Sequence, residues 1–594
     1  MEQKLNTNFI APVRIDLMDL PENSKVRLLG TWALDQDDLK NTKKLQILQY
    51  HYDDYNFLYE DFVYIRELYK IILPIVGKLI SSNNSLKWDI RSFKVFYGAW
   101  LHEYLPVIKD RYTSIESALN QNLNSRFILT NNLVIISSAH DFKQKINDDP
   151  YNHFLYTKIV NFLDKEAYNN ALFLNKESVN EKKISPLEKI KNSVKKSFLK
   201  NIQNLINVFT SKSIAAIDRS YFSYKNFLQF VFNTFPVITP VISFPEVLYK
   251  DIKIDLPLRD MLTKQLQKEF IPKNKFEKFI SQNLIKDMPY DFIEGFELVN
   301  DASSYIDIRN KNFLSTNAIL SNNVLQCAVA KQLHKDSKLI ISQHGGSYGL
   351  VEWSMQEYYE LDTADTFITF GWRRDQYTNT SSISHPKLLT LSEDHKPSAK
   401  TILYISMAPS RYFNRNLSDP IPGKSILDYY NNINVFLNNV KSSNTYNIKL
   451  RLAPTDIEYR IGIKKYFKGI AEFSEGDFYE ELKSASIVVC DHNQTTFLES
   501  LSINKPTIIV WNRDSTKIND EASSYFDDLH SAGIFFNSHI EASNYLKDII
   551  AYDSIEEWWL DSSRQQAVKS FVENYAKRNA NWIEDYKKLL SSKT

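Results

Sequence analysis

After residue 300, short apolar runs alternate with polar loops and with stretches of helical periodicity. Apolar runs of roughly four to eight residues between turn residues are typical of buried strands. A repeated order of strand, loop and helix predicts a parallel sheet with helices on both faces, and such sheets bind ligands beyond the carboxyl ends of their strands. The predicted strands are KLIIS, TFITF, TILYIS, IKLRL, SIVVC and PTIIVW.

The first 160 residues combine a few candidate strands with a long helix. Apolar positions recur every three or four residues between about 53 and 80, as at Phe62, Ile65 and Leu68, which is the period of a buried helical stripe. The segments KVRLLGTWAL and NNLVIISSAHDF are predicted strands. We therefore expect an N-terminal domain, residues 1–396, with helical insertions at about 40–120 and 160–300.

The region between about 160 and 300 is rich in Lys and Asn and includes one amphipathic run, from Lys191 to Phe209. Such a helix can rest on an anionic membrane, or it can dock its apolar face on its own domain, which is the more common arrangement. The sequence leaves both alternatives open. The apolar face consists of Val194, Phe198, Ile202, Leu205, Ile206 and Phe209.

Composition narrows the functional classes. The 594 residues include 72 Lys and Arg against 71 Asp and Glu, so a net charge of +1 gives no global field that would attract nucleic acid. Cys327 and Cys490 lie far apart and outside any CxxC pair, which argues against a disulfide framework or a zinc site. No run reaches the roughly 18 apolar residues of a membrane-spanning helix. We expect a cytoplasmic protein, with or without peripheral contact at the inner face of the membrane.

The most informative unit is SIVVCDHNQTTFLESLSINKPTIIVW, which predicts a strand, a polar loop, a helix and a second strand. A helix N-terminus presents unpaired N–H groups and the positive end of the dipole, so it can bind phosphate. Thr495 and Thr496 add hydroxyl donors, and Glu499 one turn later is placed to reach ribose hydroxyls. Asp491 and Asn493 lie at the strand end. The alternative is an ordinary capped helix of an α/β sheet.

Two other strand ends carry cations and hydroxyls. Arg451, in IKLRLAPTDIEYR, is placed either to neutralise a phosphate or to make a structural ion pair. Ser410 and Arg411, in YISMAPSRYFNR, follow a strand in the same way and leave the same two interpretations open.

Glycines crowd around one histidine in QHGGSYG, directly after the predicted strand KLIIS, although the chain has only 13 Gly. Gly345 and Gly346 would allow a sugar or phosphate to approach the backbone, and His344 would act as an acid, a base or a hydrogen-bond donor. Downstream, Glu360 is the candidate carboxylate that serves as base or nucleophile or that orients the imidazole. The motifs GxxxxGKS/T, GxSxG and HExxH are absent, which removes the P-loop, α/β-hydrolase and zincin classes.

A series of motifs extends this picture along the whole chain: VRLLGTW, YDDYNFLYEDF, GAWLHEY, YNHFLY, QHGGSYG, DTFITFGW, RYFNRNLSDP, CDHNQTTFLESLSINKPTIIVW, SAGIFFNS and EEWW. In this order, from about residue 25 to about 580, they resemble a family of bacterial transferases encoded in O-antigen and surface-polysaccharide clusters. That family is similar to GT-B glycosyltransferases that use CMP-activated sugars such as Kdo and sialic-acid-like nonulosonates.

The resemblance implies two groups of site residues. The nucleotide side is Arg451, Asp491, Asn493, Thr495, Thr496 and Glu499. The acceptor side is His344, Gly345, Gly346, Tyr348 and Glu360.

We therefore predict an α/β fold of GT-B type, with two Rossmann-like domains, a helical elaboration of the first domain and C-terminal crossover helices. The nucleotide-sugar domain is expected at 397–550 after the linker LSEDHKPSAK, and the crossover helices at 551–594. The expected activity is transfer of a CMP-linked sugar to a glycan or lipid-linked glycan of the bacterial surface, as in lipopolysaccharide, O-antigen or capsule, with no metal or cofactor. A CDP-alcohol polyol-phosphate transferase and a non-catalytic scaffold of polysaccharide assembly remain as alternatives.

Overall fold

The computed structural model describes residues 8–592 apart from 16–19, 22–23, 35–45, 122, 175–198, 200, 219–220, 243, 246, 248, 250–251, 310, 334–336, 391–399, 408, 442–445, 453–463 and 552–554. Three parallel sheets follow one another along the chain, with helices between their strands. All six strands predicted after residue 300 are present, so the α/β prediction is confirmed. The predicted linker, apart from Lys400, and residues 191–198 and 200 of the run from Lys191 to Phe209 lie outside the described residues.

The N-terminal sheet consists of five short strands: β1 Asn8–Ala11, β2 Lys25–Leu28, β3 Gln46–Ile47, β4 Arg126–Leu129 and β5 Leu172–Phe173. The strand order is β3-β2-β1-β4-β5, with all pairs parallel. The predicted strand KVRLLGTWAL contains β2, but the prediction for NNLVIISSAHDF is wrong. Residues 131–137 form a loop in which Leu133 is 84% exposed, because β1 pairs with the preceding segment, in the register Phe9 to Arg126.

Long helices pack against this sheet. The side chain of Asp54 caps the first of them by accepting a hydrogen bond from the Asn56 N–H, and the predicted stripe of Phe62, Ile65 and Leu68 is buried. The helical region is therefore confirmed, but it belongs to a sheet of its own, which the sequence interpretation treated as an insertion. The helices are Tyr55–Asn83, Ile90–Phe96, Gly98–Asn120, Ala139–Lys145, Asp149–Leu163 and Lys165–Asn169.

The second sheet has six strands: β6 Ala215–Ile217, β7 Ile238–Pro240, β8 Asn312–Ser315, β9 Leu339–Ser342, β10 Thr366–Thr369 and β11 Thr380–Ser382. Its order, β11-β10-β9-β8-β6-β7, reverses direction between β6 and β8. Helix Leu256–Glu269 packs on Lys275–Asp287 and on Tyr55–Asn83, so this region also joins the first two sheets. The helices of the unit are Tyr224–Thr234, Leu256–Glu269, Lys275–Asp287, Phe296–Ser303, Asn317–Ser321, Asn323–Gln332 and Met355–Thr363, with a short 3-10 helix at Pro386–Leu389.

The third sheet also has six strands: β12 Thr401–Ser406, β13 Asn447–Leu452, β14 Glu472–Phe473, β15 Ile487–Cys490, β16 Thr507–Val510 and β17 Phe535–Phe536. The order β14-β13-β12-β15-β16-β17 is the Rossmann order, in which the ligand crevice opens between the first and fourth strands, here β12 and β15. Its helices are Lys424–Lys441, Phe478–Ser484, Thr495–Ser502, Asp520–Ser531 and His539–Ala551.

The C-terminal helices cross from the third sheet back to the second, as predicted. After a short helix at Ile555–Trp559, helix Ser562–Tyr575 packs on Asp520–Ser531 and Thr495–Ser502. The Lys577 N–H then donates to the Phe370 carbonyl at 2.8 Å, and helix Trp582–Ser591 contacts β8. None of the helices that the structure describes has the length and apolar character needed to cross a lipid bilayer.

Candidate active site

A cavity of about 660 Å³ lies where the loops after β6, β9, β12 and β15 meet. These loops follow the carboxyl ends of strands in the second and third sheets, where open α/β sheets bind ligands. The predicted site residues that line it are His344, Gly345, Tyr348, Ser410, Arg451, Thr495, Thr496 and Glu499. Other predicted site residues do not reach its wall: Gly346, Glu360, Arg411, Asp491 and Asn493.

The loop after β9 is fixed by Gln343. Its side-chain oxygen accepts from the Phe370 N–H and from the Trp372 indole, each at 2.8 Å, and its amide donates to the Gly345 carbonyl at 2.8 Å. Because the oxygen and the nitrogen of this buried amide are both hydrogen-bonded to the loop or its neighbours, the loop is held in one backbone conformation. The turn therefore presents His344 to the cavity in a defined orientation.

Gly346 has a different role from the one predicted. A Cβ at this position would lie 2.3–2.6 Å from backbone atoms of Gln494 and Thr495, which is closer than any side chain allows. The residue thus approaches the backbone at the start of the facing helix and not a ligand. This contact brings the His344 loop of the second sheet against the polar loop of the third sheet.

His344 lies over a buried carboxylate. Its Nδ1 is 3.9 Å from Glu360 Oε2, and neither atom has a hydrogen-bond partner among the described residues. The other oxygen of Glu360 accepts from the Tyr348 hydroxyl at 2.6 Å and from Gln356 at 3.0 Å. The side chain of Gln356 also lies 3.2 Å from His344 Nε2. Because Glu360 is fully buried behind the imidazole, it can position His344 but cannot touch a substrate as the predicted nucleophile or base would.

Burial shifts the pKa values of His344 and Glu360 in opposite directions. The pKa of His344 is lowered to about 3, first by burial and then by the positive charges of Arg415, Lys143 and Lys387. Burial raises the pKa of Glu360 to about 8. At neutral pH the imidazole is therefore uncharged and a weak base, while the carboxyl is mostly protonated.

The third sheet contributes a helix N-terminus. Helix Thr495–Ser502 begins after Gln494, whose side chain does not cap it in the described structure, so the first backbone N–H groups keep their capacity to bind an anion. Thr495 and Thr496 line the cavity at this end. Glu499 accepts from the Tyr479 hydroxyl at 3.3 Å, and burial raises its pKa. The geometry places an uncapped helix N-terminus and a buried carboxylate, with Lys387 Nζ 3.7 Å from Glu499 Oε1, at the same side of the cavity.

Among the residues that the structure describes, two arginines reach the cavity, and they differ in their partners. The Arg451 guanidinium donates to Glu481 at 2.7 Å and to the Gly476 carbonyl at 2.9 Å, so much of its charge is already compensated. Arg415 is exposed in the cavity wall and makes no ion pair or hydrogen bond within the described part of the chain. Arg415 is therefore the cation best placed to receive an anionic ligand.

Sequence reasoning chose the wrong arginine in the RYFNR segment. Arg411 points away from the cavity and pairs with Asp149 at 2.8 and 3.0 Å, tying the third sheet to the N-terminal unit. The spacing offered one usable signal: Arg415, four residues later, lies in the same motif. Other wall residues that the prediction missed are Tyr221, Gln356, Lys387, Asp419, Tyr479 and His492.

Asp491 and Asn493 are buried in the loop after β15 and do not line the cavity. Both oxygens of Asp491 accept from the Tyr429 hydroxyl at 2.9 Å, one also accepts from the Met407 N–H at 3.1 Å, and burial raises the pKa of Asp491 to about 7. Asn493 is 1% exposed. These contacts fix the loops after β12 and β15 and leave His492 at the cavity wall. Within the described residues, no three His, Cys, Asp or Glu side chains are arranged to hold a metal ion.

Solved structures resemble parts of the chain only distantly. An S. aureus TarM structure with fondaparinux, α-GlcNAc-glycerol and UDP is 12% identical, covers 52% of this chain and 61% of that one, and has a TM-score of 0.33. The wall teichoic acid polymerase TagF is 12% identical, with coverage of 68% and 95% and a TM-score of 0.33. MurG of Acinetobacter baumannii is 8% identical, with coverage of 63% and 98% and a TM-score of 0.27.

The chain thus spans about three fifths of the TarM structure that it matches, 61% of its length. No curated protein matches the sequence. Since the TM-scores are low, the fold assignment rests on the strand orders and on the crossover helices described above. The model of the LIC12162 family of transferases matches residues 16–590, which include strands of all three sheets, and the chain therefore belongs to this family of transferases.

Proposed function

We propose that the protein transfers a sugar from a nucleotide-activated donor to a bacterial surface glycan at the inner face of the membrane. The donor we expect is a CMP-linked ulosonate of the Kdo or sialic-acid type. The observation that supports this most directly is the composition of the cavity: a helix N-terminus without a side-chain cap and the unpaired Arg415 on the third-sheet side, and a neutral His344 on the other.

On the donor side, a nucleotide phosphate would bind at the start of helix Thr495–Ser502. The N–H groups and the Thr495 and Thr496 hydroxyls would donate to its oxygens, and Arg415 would neutralise its charge. Glu499 is one turn further along and would accept from ribose hydroxyls. A single phosphate as leaving group would need no more positive charge than these groups supply.

On the acceptor side, His344 would act as the base. The acceptor hydroxyl oxygen forms a bond to the anomeric carbon, the bond from that carbon to the phosphate oxygen breaks, and its electron pair leaves with the nucleotide. The hydroxyl proton passes to the imidazole. A bound phosphate would offset the charge of Arg415, one of the causes that hold the pKa of His344 low, so donor binding would make His344 a stronger base.

Calorimetry with CMP, CDP and UDP tests the proposal. We expect CMP to bind, and we expect Arg415→Ala to weaken it by about tenfold or more, as for a lost charge-assisted hydrogen bond. Arg451→Ala serves as the matched comparison and should cost less affinity, because Arg451 is already paired with Glu481. Absence of binding by all three nucleotides would contradict the proposal and would favour a scaffold.

The product then separates the two transferase alternatives. With a CMP-activated ulosonate and a surface glycan fragment, a glycosidic linkage is expected. A phosphodiester product formed from a CDP-alcohol would show that the same cavity serves polyol-phosphate transfer instead.

A further inference from the structure

Large apolar side chains are exposed together at one corner of the second sheet, at the amino ends of β6 and β7. We call this set the apolar corner; the exposed fractions of its members range from 42% to 81%. The cavity lies at the opposite, carboxyl end of these strands, so the site described above does not account for the exposure. The apolar corner consists of Val208, Phe209, Ile214, Phe232, Phe235 and Val237.

Backbone hydrogen bonds hold the two halves of the apolar corner side by side. The Ile214 N–H donates to the Val237 carbonyl at 3.1 Å, and the Val237 N–H donates to the Thr234 carbonyl at 2.8 Å, two residues after Phe232. Phe209 is joined to Ile214 by a short turn in which the Ser213 N–H donates to Thr210. The exposed side chains therefore form one surface and are not scattered singly.

The helical residues 201–209 leave Leu205, Val208 and Phe209 exposed, while Ile202 and Ile206 are half-buried. Gln203 is 6% exposed, donates to the Pro240 carbonyl at 3.1 Å and accepts from the Ile242 N–H at 2.7 Å. Val208 and Phe209 face solvent at 71% and 63% exposure. Burial of Gln203 while Val208 and Phe209 stay exposed is unusual for a surface helix that meets only water. Part of the apolar face of this helix therefore has no partner within the described residues.

The charged groups around the apolar corner are basic. Between residues 201 and 242, the exposed charged side chains in the described part are Lys212 and Lys225, and the one carboxylate there, Asp218, is buried against Ser315. Lys225 precedes Phe232 by seven residues on helix Tyr224–Thr234, so both lie on the same face. Exposed aromatic and aliphatic groups bordered by lysines are the chemistry of an anionic lipid surface.

We propose that the apolar corner is the surface by which the protein docks on an anionic lipid bilayer. The aromatic and aliphatic side chains would enter the interfacial region, and Lys212 and Lys225 would face lipid phosphates. The inference shares with the proposed function only the location at the membrane. It does not depend on which group the cavity transfers, so it can fail while the proposed transfer reaction stands, and the reverse.

Vesicle flotation of the full chain tests this inference, with phosphatidylcholine vesicles that do or do not contain phosphatidylglycerol. We expect flotation with the anionic vesicles, and a loss of about tenfold or more in the bound fraction both for Phe209→Ser with Phe232→Ser and for Lys212→Glu with Lys225→Glu. The matched control is a pair of equally exposed apolar residues elsewhere, Leu133→Ser with Ile271→Ser, which are 84% and 78% exposed in the wild type and should leave binding unchanged.

Three results would overturn the inference. The first is a wild-type chain that stays in solution at low salt, as expected if another part of the chain covers the surface. The second is a control variant that loses as much binding as the Phe209 and Phe232 variant. The third is a dimer, seen by light scattering, that this variant dissociates, because a second copy would then be the partner. Thermal unfolding of each variant distinguishes a lost surface from a lost fold.

Discussion

At the scale of single residues, His344 and Glu360 form a pair that carries little charge at neutral pH. Burial disfavours the charged form of each, which lowers the pKa of His344 to about 3 and raises that of Glu360 to about 8. Tyr348 and Gln356 both donate to Glu360 and so fix its position behind the imidazole. This network orients His344 and does not form an ion pair with it.

Replacement of His344 tests its part in proton transfer. We expect His344→Ala to lower turnover by about 10²–10⁴-fold, the usual contribution of a positioned general base. Nucleotide affinity should stay nearly constant, because the proposed phosphate site lies on the third sheet. Turnover assays with parallel nucleotide titrations measure both. Full turnover in the variant would leave the loop with a purely structural role.

Glu360→Gln tests the raised pKa through stability. Between about pH 5 and pH 8 the folded wild type holds a proton on Glu360 that the unfolded chain releases, so the free energy of unfolding falls as pH rises through this window. Glutamine does not titrate. The thermal midpoint of the wild type, relative to that of the variant, should therefore decrease from pH 5 to pH 8. Parallel curves for the two proteins would contradict the shift.

The sequence could predict which types of residue meet at the cavity. It could not predict which of two nearby residues of the same type would lie there. Arg411 and Arg415 lie in one motif, and only the long-range partner Asp149, 262 residues away in the chain, decides that Arg411 is structural. In the same way, Glu360 follows His344 by a plausible spacing, and its burial behind the imidazole depends on the packing of the whole helix Met355–Thr363. Contacts between residues that are far apart in the chain leave no periodic pattern in the sequence.

At the scale of elements, the helix Thr495–Ser502 concentrates the proposed phosphate contacts. Replacing Thr495 and Thr496 by Val removes two hydroxyl donors while keeping side-chain shape. We expect nucleotide binding to weaken by about 1–3 kcal/mol, as for other lost hydrogen bonds to a charged group. Calorimetry of the folded double variant measures this change.

The control for that experiment is a helix elsewhere in the chain that also begins with two hydroxyl residues, although the Asp561 side chain caps it. Ser562 and Ser563 begin helix Ser562–Tyr575, and neither lines the cavity. Ser562→Ala with Ser563→Ala should leave nucleotide affinity unchanged. Equal losses of nucleotide affinity in both variants, or no loss in the threonine variant, would show that the phosphate does not bind at helix Thr495–Ser502.

Strands of the second and third sheets were predictable because fully buried parallel strands are continuous apolar runs, as in β12 and β15. The N-terminal sheet was not, because β3 and β5 have two residues each and no period can be read from them. The register of β1 with β4, and not local hydrophobicity, also selected Arg126–Leu129 over the more apolar segment that follows.

At the scale of the whole molecule, the C-terminal helices add a connection between the second and third units, which also meet where Val351 pairs with Ile518 and Ser354 with Leu417. Trp582 is 4% exposed and stacks on Phe230 of helix Tyr224–Thr234, with ring centroids 5.8 Å apart. Helix Ser562–Tyr575 meanwhile packs against the third sheet's helices. The second unit therefore depends on residues that follow the third sheet in the chain.

Trp582→Ala tests this dependence. We expect the variant to lose about 3–5 kcal/mol of stability, the range for a buried aromatic cut to Ala. Nucleotide affinity at a temperature where the variant is folded should remain close to that of the wild type, because the proposed nucleotide site is on the other unit. Denaturant unfolding and calorimetry give the two quantities. Unchanged unfolding would mean that the last helix is only peripherally attached.

The contact between Gly346 and the backbone of Gln494 and Thr495 has a mechanical consequence. Two units that touch through main chain cannot slide past each other at that point. Main-chain hydrogen bonds from the Glu352 N–H to the Lys517 carbonyl and from the Met355 N–H to the Asn416 carbonyl also join them. The spacing between the histidine loop and the start of helix Thr495–Ser502 is therefore set by backbone contact, and a side chain larger than hydrogen at position 346 would change it.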